Sequence, residues 1–108
     1  MYRIIFEQHP REGQEKDFIE QWQKGSDIIQ TYPGARGTKL FRSVSNPKIL
    51  YAMAEWESKE ARMAAVEAIK ERLDAEMVLH GHEAYKINPT TIVGEFECIA
   101  ESNPPSSV

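Results

Sequence analysis

A chain of 108 residues with 41% hydrophobic and 28% charged side chains has the make-up of one ordinary globular domain, which excludes a disordered chain or a fibre. Its net charge of −4, with Arg3, Arg11, Arg36, Arg42, Arg62 and Arg72 dispersed among acids, argues against a phosphate-tracking surface and so against nucleic acid as the main partner. Cys98 is the only cysteine, which excludes an intramolecular disulfide and a multi-cysteine zinc site; a small buried hydrophobe is its expected role.

The apolar runs are only a few residues long, and Met1-Tyr2-Arg3 leads into a strand pattern without a signal-peptide core. The expected location is the cytoplasm, with no membrane contact. Tyr2 to Gln8 alternates Tyr2, Ile4 and Phe6 against Arg3, Ile5 and Glu7, the pattern of a first strand. Pro10 and Gly13 break it. From Gln14 the period becomes helical: Phe18, Trp22, Gly25 and Ile29 form one stripe, and Glu15, Lys16, Glu20, Gln23 and Lys24 face outward. Gly25 costs about 1 kcal/mol relative to alanine inside a helix. It marks either a close backbone approach or empty volume below the helix.

Tyr32-Pro33-Gly34 ends the helix, because Pro33 forces Tyr32 into extended geometry and Gly34 supplies the turn. Gly37 to Ser43 alternates as a second strand. Ser45-Asn46-Pro47 is a turn signal, and Ile49 to Trp56 reads as the third strand, paired with the second as a hairpin. Ser58 is a good N-cap, followed by the stripe Ala61, Ala65, Ile69 and Leu73, which predicts a second helix from Ser58 to His80. Thr90 to Ala100 is the fourth strand, with Gly94 as a bulge candidate, and residues 101–108 form a flexible tail after a single domain of residues 1–100.

Strand, helix, strand, strand, helix, strand is the split β-α-β, ferredoxin-like order. It predicts an α+β fold with a four-stranded antiparallel sheet and both helices on one face. The first and third strands carry apolar side chains on both faces, Ile4 and Phe6 against Ile5, and Leu50, Ala52, Ala54 and Trp56 against Tyr51 and Met53. The second apolar face predicts a homodimer built sheet against sheet.

With Tyr2 at strand entry, Tyr32-Pro33-Gly34 after the first helix and Glu55-Trp56-Glu57-Ser58-Lys59-Glu60-Ala61 downstream, the chain resembles the antibiotic biosynthesis monooxygenase family of the dimeric α+β barrel superfamily, from Tyr2 to about Ala100. The resemblance implies a pocket between sheet and helices in each subunit of a barrel-forming dimer. It implies oxidation of anthrones, phenols or quinols by molecular oxygen without metal or flavin, and hence no cofactor. A branch of the superfamily binds and degrades haem, and a non-catalytic module holding a small aromatic ligand is an alternative on the same scaffold. Trp56 matches the family's pocket tryptophan. The antibiotic-pathway enzymes carry an asparagine four residues earlier, where this chain has Ala52, and their pocket tyrosine early in the second helix falls at or near Arg62. The haem-degrading branch uses a first-strand asparagine where this chain has Phe6 or Glu7, and a histidine ligand on the second helix, the element that carries His80.

The candidate substrate-binding residues are therefore Trp56, Trp22, Tyr32, Ala52 and Phe6, and the candidate catalytic residues His80 and Arg62. Each has a structural alternative. Trp56 and Trp22 also suit a core, and Tyr32 suits a helix-end anchor. Arg62 either holds a substrate oxyanion or pairs with an acid such as Glu55. His80 either transfers a proton or interacts with the helix dipole. Glu76, His80 and His82 lack a fourth convergent ligand, so no metal site is expected.

Overall fold

In a computed structural model the chain forms β1 (Tyr2–Gln8), α1 (Glu15–Ile29), β2 (Ala35–Arg42), β3 (Leu50–Trp56), a second helix α2 and β4 (Thr90–Glu97). The structure describes residues 1–68 and 90–105, and α2 is described over 59–68. The later part of the predicted second helix, with His80 and its neighbours Glu76 and His82, lies outside the described residues.

The strands form one antiparallel sheet in the order β2-β3-β1-β4. Opposite residues of antiparallel strands share a face. The register Tyr2↔Trp56, Ile4↔Ala54, Phe6↔Ala52 and Gln8↔Leu50 therefore collects the small and aromatic residues of both central strands on one side. Tyr2, Ile4 and Trp56 are buried there with Ala65 of α2, and Ile29 of α1 packs against the same cluster. Both helices thus cover the same face, which is the ferredoxin-like arrangement.

Local chemistry sets the boundaries. Asn46 closes the β2–β3 hairpin: its backbone N–H donates to Ser43 Oγ (3.1 Å) and its side-chain oxygen accepts from Lys48 N (3.3 Å). Ser58 Oγ accepts from Ala61 N at 3.1 Å, the N-cap bond that its residue type predicts. β2 begins at Ala35, two residues before the alternation suggests, because Ala35 pairs with Trp56 and the slip is taken up before Thr38, where Gly37 has φ +114°.

The β1–β4 ladder shifts between Ile5 and Phe6, which pair with Gly94 and Ile92; Val93 is the extra residue, directly beside the predicted bulge. β4 ends at Glu97, so Cys98 lies beyond the strand and is exposed rather than buried. The burial expected of a cysteine by residue type is not met, because the strand expected to carry it to Ala100 stops one residue short of it.

Gly34 sits at a tight joint between the loop after α1 and the start of α2. It has φ +86°, and a Cβ added there would lie 2.7 Å from the Ala61 Cβ, closer than side chains tolerate. Its carbonyl accepts from Glu57 N at 2.8 Å, and Glu57 also pairs with Arg36. Gly25 is the opposite case: a Cβ there meets nothing within 4 Å, so it marks open space and not close approach.

The other sheet face carries Ile5, Tyr51 and Met53, half-buried, with Phe41 and Phe96 48% and 47% exposed. Arg3 pairs with Glu55 among them. Glu7 accepts hydrogen bonds from Tyr51 Oη (3.0 Å) and the His9 ring (2.8 Å).

Candidate functional site

Between the sheet and α2, three sequence-predicted residues converge. Phe6 of β1 faces the helix layer, with Ala52 of β3 directly across from it. Over the Phe6 ring sits the guanidinium of Arg62, 5.9 Å from the ring centroid, a cation–π distance. The helix brings it there because Ser58 caps the first turn and Ala65, three residues further on, is buried against the core.

Arg62 does not pair with Glu55. Strand alternation turns Glu55 to the far side of the sheet, where Arg3 holds it, while Arg62 lies on the helix side. Among the described residues Arg62 has no ion-pair partner; it contacts Met63 Sδ at 3.8 Å.

Arg62 instead acts on a second group, Tyr2. The Tyr2 hydroxyl donates to Glu95 Oε1 at 2.5 Å, and the other oxygen of Glu95 accepts from Lys59 Nζ at 3.4 Å. Burial raises the pKa of Tyr2, and its hydrogen bond to Glu95 raises it further, while the charge of Arg62 opposes both. Donation by Tyr2 is the main influence holding the Glu95 carboxyl below the usual carboxylate range, and Lys59 and Arg62 add to it. The result is a chain of polar groups from the helix-side face of β1 to the exposed edge of β4.

Trp56 is 3% exposed and packs with Tyr2, Ile4 and Ala65; Tyr32, Phe6 and Ala61 lie against the same cluster. Ala52 is 4% exposed and adds only a methyl group beside Phe6. Trp22 stands apart. It lines a groove of about 470 Å³ between α1 and the β2 edge, with Ile19, Leu40 and Leu50, and no member of the Trp56 cluster borders that groove. At the far end of the same β1 face, Gln8 is 5% exposed and its Oε1 is buried with no hydrogen-bond partner among the described residues. Such an orphaned acceptor costs about 1–3 kcal/mol until a donor reaches it.

The sequence reading missed Tyr2 and Glu95 as site residues. Tyr2 shares the Ile4–Phe6 face by simple alternation, which was a usable signal. Glu95 was not findable that way, because the bulge at Val93 resets which β4 residues face the helices. Among the described residues, no group of three His, Cys, Asp or Glu side chains is placed to hold a metal ion. His9, the one histidine among them, is bonded to Glu7 on the far sheet face.

The sequence model for antibiotic biosynthesis monooxygenases matches residues 1–83. The chain belongs to the antibiotic biosynthesis monooxygenase family. No curated protein sequence matches it. Among solved structures, this family member is similar to SnoaB, a cofactor-independent oxygenase from Streptomyces nogalater, with 13% identity and a TM-score of 0.68 over 96% of this chain and 98% of that one. It is also similar to the haem-degrader MhuD from Mycobacterium tuberculosis, with 20% identity and a TM-score of 0.69 over 95% of this chain and 100% of that one. Identities this low establish a common fold. Among the described residues no helix is long and apolar enough to cross a membrane.

Proposed function

We propose that this protein is a cofactor-independent monooxygenase that oxidises a small phenolic or quinol-like aromatic substrate with molecular oxygen. The observation that carries the reading is the placement of Arg62. It lies over Phe6, the cross-strand neighbour of Ala52, so a cation stands beside the position where the resemblance expects the asparagine.

The chemistry asks little of the protein. A phenol must give up its proton, and the anion must be held in a dry site while it passes an electron to oxygen. Arg62 supplies a positive charge and hydrogen-bond donors for the oxyanion, and Phe6 supplies an apolar face for the ring. The substrate provides all the reducing electrons: an activated CH₂ or aromatic C–H becomes a carbonyl, one atom of oxygen enters the product and the other leaves as water. A second copy of the chain covers the apolar sheet face that carries Phe41 and Phe96, giving a homodimer.

Oxygen uptake with a panel of hydroquinones and anthrones, measured with chelator present, tests the reading. Turnover by the wild type, and a fall in kcat/KM of about 10²-fold in Arg62→Leu, is the expected result. Binding of these aromatics with no oxygen uptake across the panel replaces the oxygenase by a ligand-holding module, the reading favoured by the methyl group of Ala52. Sedimentation of the purified chain as a monomer excludes the dimer.

A further inference from the structure

An oxygenase that begins by ionising a phenol needs somewhere to send the proton, and Arg62 cannot take it. The Tyr2 hydroxyl is a proton-carrying group that Arg62 acts on, and it is buried, 8% exposed as a residue. Its own proton is already directed at Glu95 Oε1, 2.5 Å away across the β1–β4 edge. The Glu95 side chain is 40% exposed, so this carboxylate touches solvent at one end and a buried phenol at the other. Lys59 holds its second oxygen and leaves the first for Tyr2.

We propose that Tyr2 and Glu95 form the proton exit of the site. The inference rests on the phenolic-substrate reading above. In the step, the substrate O–H bond breaks and an O–H bond forms at Tyr2 Oη, as the Tyr2 O–H bond breaks and one forms at Glu95 Oε1. The substrate is left as a phenolate beside Arg62, Tyr2 is again neutral, and the protonated Glu95 returns its proton to water at the sheet edge. No electrons move in this step, and charge is conserved because the carboxylate is neutralised as the phenolate appears.

The direction of the hydrogen bond favours outward flow. Tyr2 donates to Glu95, so its oxygen keeps its acceptor capacity for the side on which Arg62 acts, where an incoming phenol would meet it. Among the described residues, the titratable and charged groups around Glu95 are Tyr2 on β1, Lys59 and Arg62 on α2, and Glu97 on its own strand, opposite Tyr2 in the register. Glu95 is held below the usual carboxylate range, so its acceptor form, the carboxylate, is present at neutral pH and is lost only in acid.

Glu95→Gln tests the relay, because the amide keeps a hydrogen bond to Tyr2 but cannot take the proton. With a hydroquinone or anthrone that the wild type oxidises, Glu95→Gln is expected to lose about 10²-fold in kcat/KM with its melting temperature maintained, and the acid limb of the pH profile disappears with it. Formate or acetate at high concentration restores the rate, as a replacement acceptor would, and Tyr2→Phe falls by a similar factor. Unchanged kcat/KM in Glu95→Gln, or an acid limb that persists, overturns the proposal while leaving the oxygenase reading intact. A loss that neither anion restores makes Glu95 a structural residue and overturns the relay too. Absence of oxygen uptake by the wild type across the panel overturns the phenolic reading and the relay together.

Discussion

Ala61 and Arg62 are neighbours in α2 and serve different ends. Ala61 presses against Gly34, at a joint so tight that the glycine has room for no side chain. Arg62, one position on, points toward Phe6 and Tyr2, where a charged group has no ion-pair partner among the described residues. The joint is where the two motifs that mark the family meet: Tyr32-Pro33-Gly34 supplies the turn, and the run from Glu55 to Ala61 supplies the bond from Glu57 N and the contact at Ala61. Their separation along the chain is a packing requirement. The motifs by which the chain resembles its family therefore report on the fold, and the positions to which we assign the site, Ala52 and Arg62, lie beside them and depart from the pattern that the resemblance implies.

This contrast can be broken from either side. The largest effect is expected at Trp56, in the buried cluster against which Ala61 packs: Trp56→Ala should cost about 3–5 kcal/mol in denaturant unfolding, the usual loss for a buried aromatic. Gly34→Ala comes next. It forces a side chain into a left-handed conformation and against the Ala61 Cβ, so a loss of roughly 2–4 kcal/mol is expected, partly relieved in the double variant with Ala61→Gly. Removing the helix cap with Ser58→Ala should cost about 1 kcal/mol. Arg62→Leu, next to the joint in sequence, is expected to change stability by less than about 1 kcal/mol, since it gives up a cation–π contact and the influence of its charge on Tyr2 and Glu95 but breaks no ion pair among the described residues. If Arg62→Leu unfolds the protein as readily as Gly34→Ala, the two residues belong to one structural unit and the division fails.

The smallest effect lies on the far sheet face. The hydrogen bond from His9, then that from Tyr51, holds Glu7 below its ordinary carboxyl value. A depressed carboxyl favours the folded state above its unfolded pKa, and that contribution is lost as the pH falls through its folded pKa. Tyr51→Phe should move the Glu7 titration upward when followed by carbon NMR of the carboxyl group. A second molecule docked on this face should change that titration with protein concentration.

Much of the architecture was legible in the residues. Alternation in Tyr2 to Gln8, the Pro33-Gly34 stop, the Asn46 turn and the Ser58 cap are each read from a few adjacent side chains. The physical rules involved act over a few residues, so β1, both helix starts and the β2–β3 hairpin follow from them. The site was legible only in pieces. Phe6, Ala52 and Arg62 come together as candidates, whereas Trp22 faces a groove on the β2 edge and not the Trp56 cluster. The expected Arg62–Glu55 pair failed because proximity along the chain does not survive the alternation of a strand, which sets Glu55 and the helix on opposite sides of the sheet.

By itself, then, the sequence determined the order and type of the elements, the family and the apolar character of both sheet faces, because these depend on periodicity, turn chemistry and composition. Tertiary structure decided who meets whom. The bond from Tyr2 to Glu95 joins residues 93 positions apart, and it exists because the sheet order puts β4 beside β1 and the bulge at Val93 turns Glu95 toward the helices. The exposure of Cys98 follows from where that same strand stops. Strand order, register and termination are set by packing across the whole core, which no local window of residues contains.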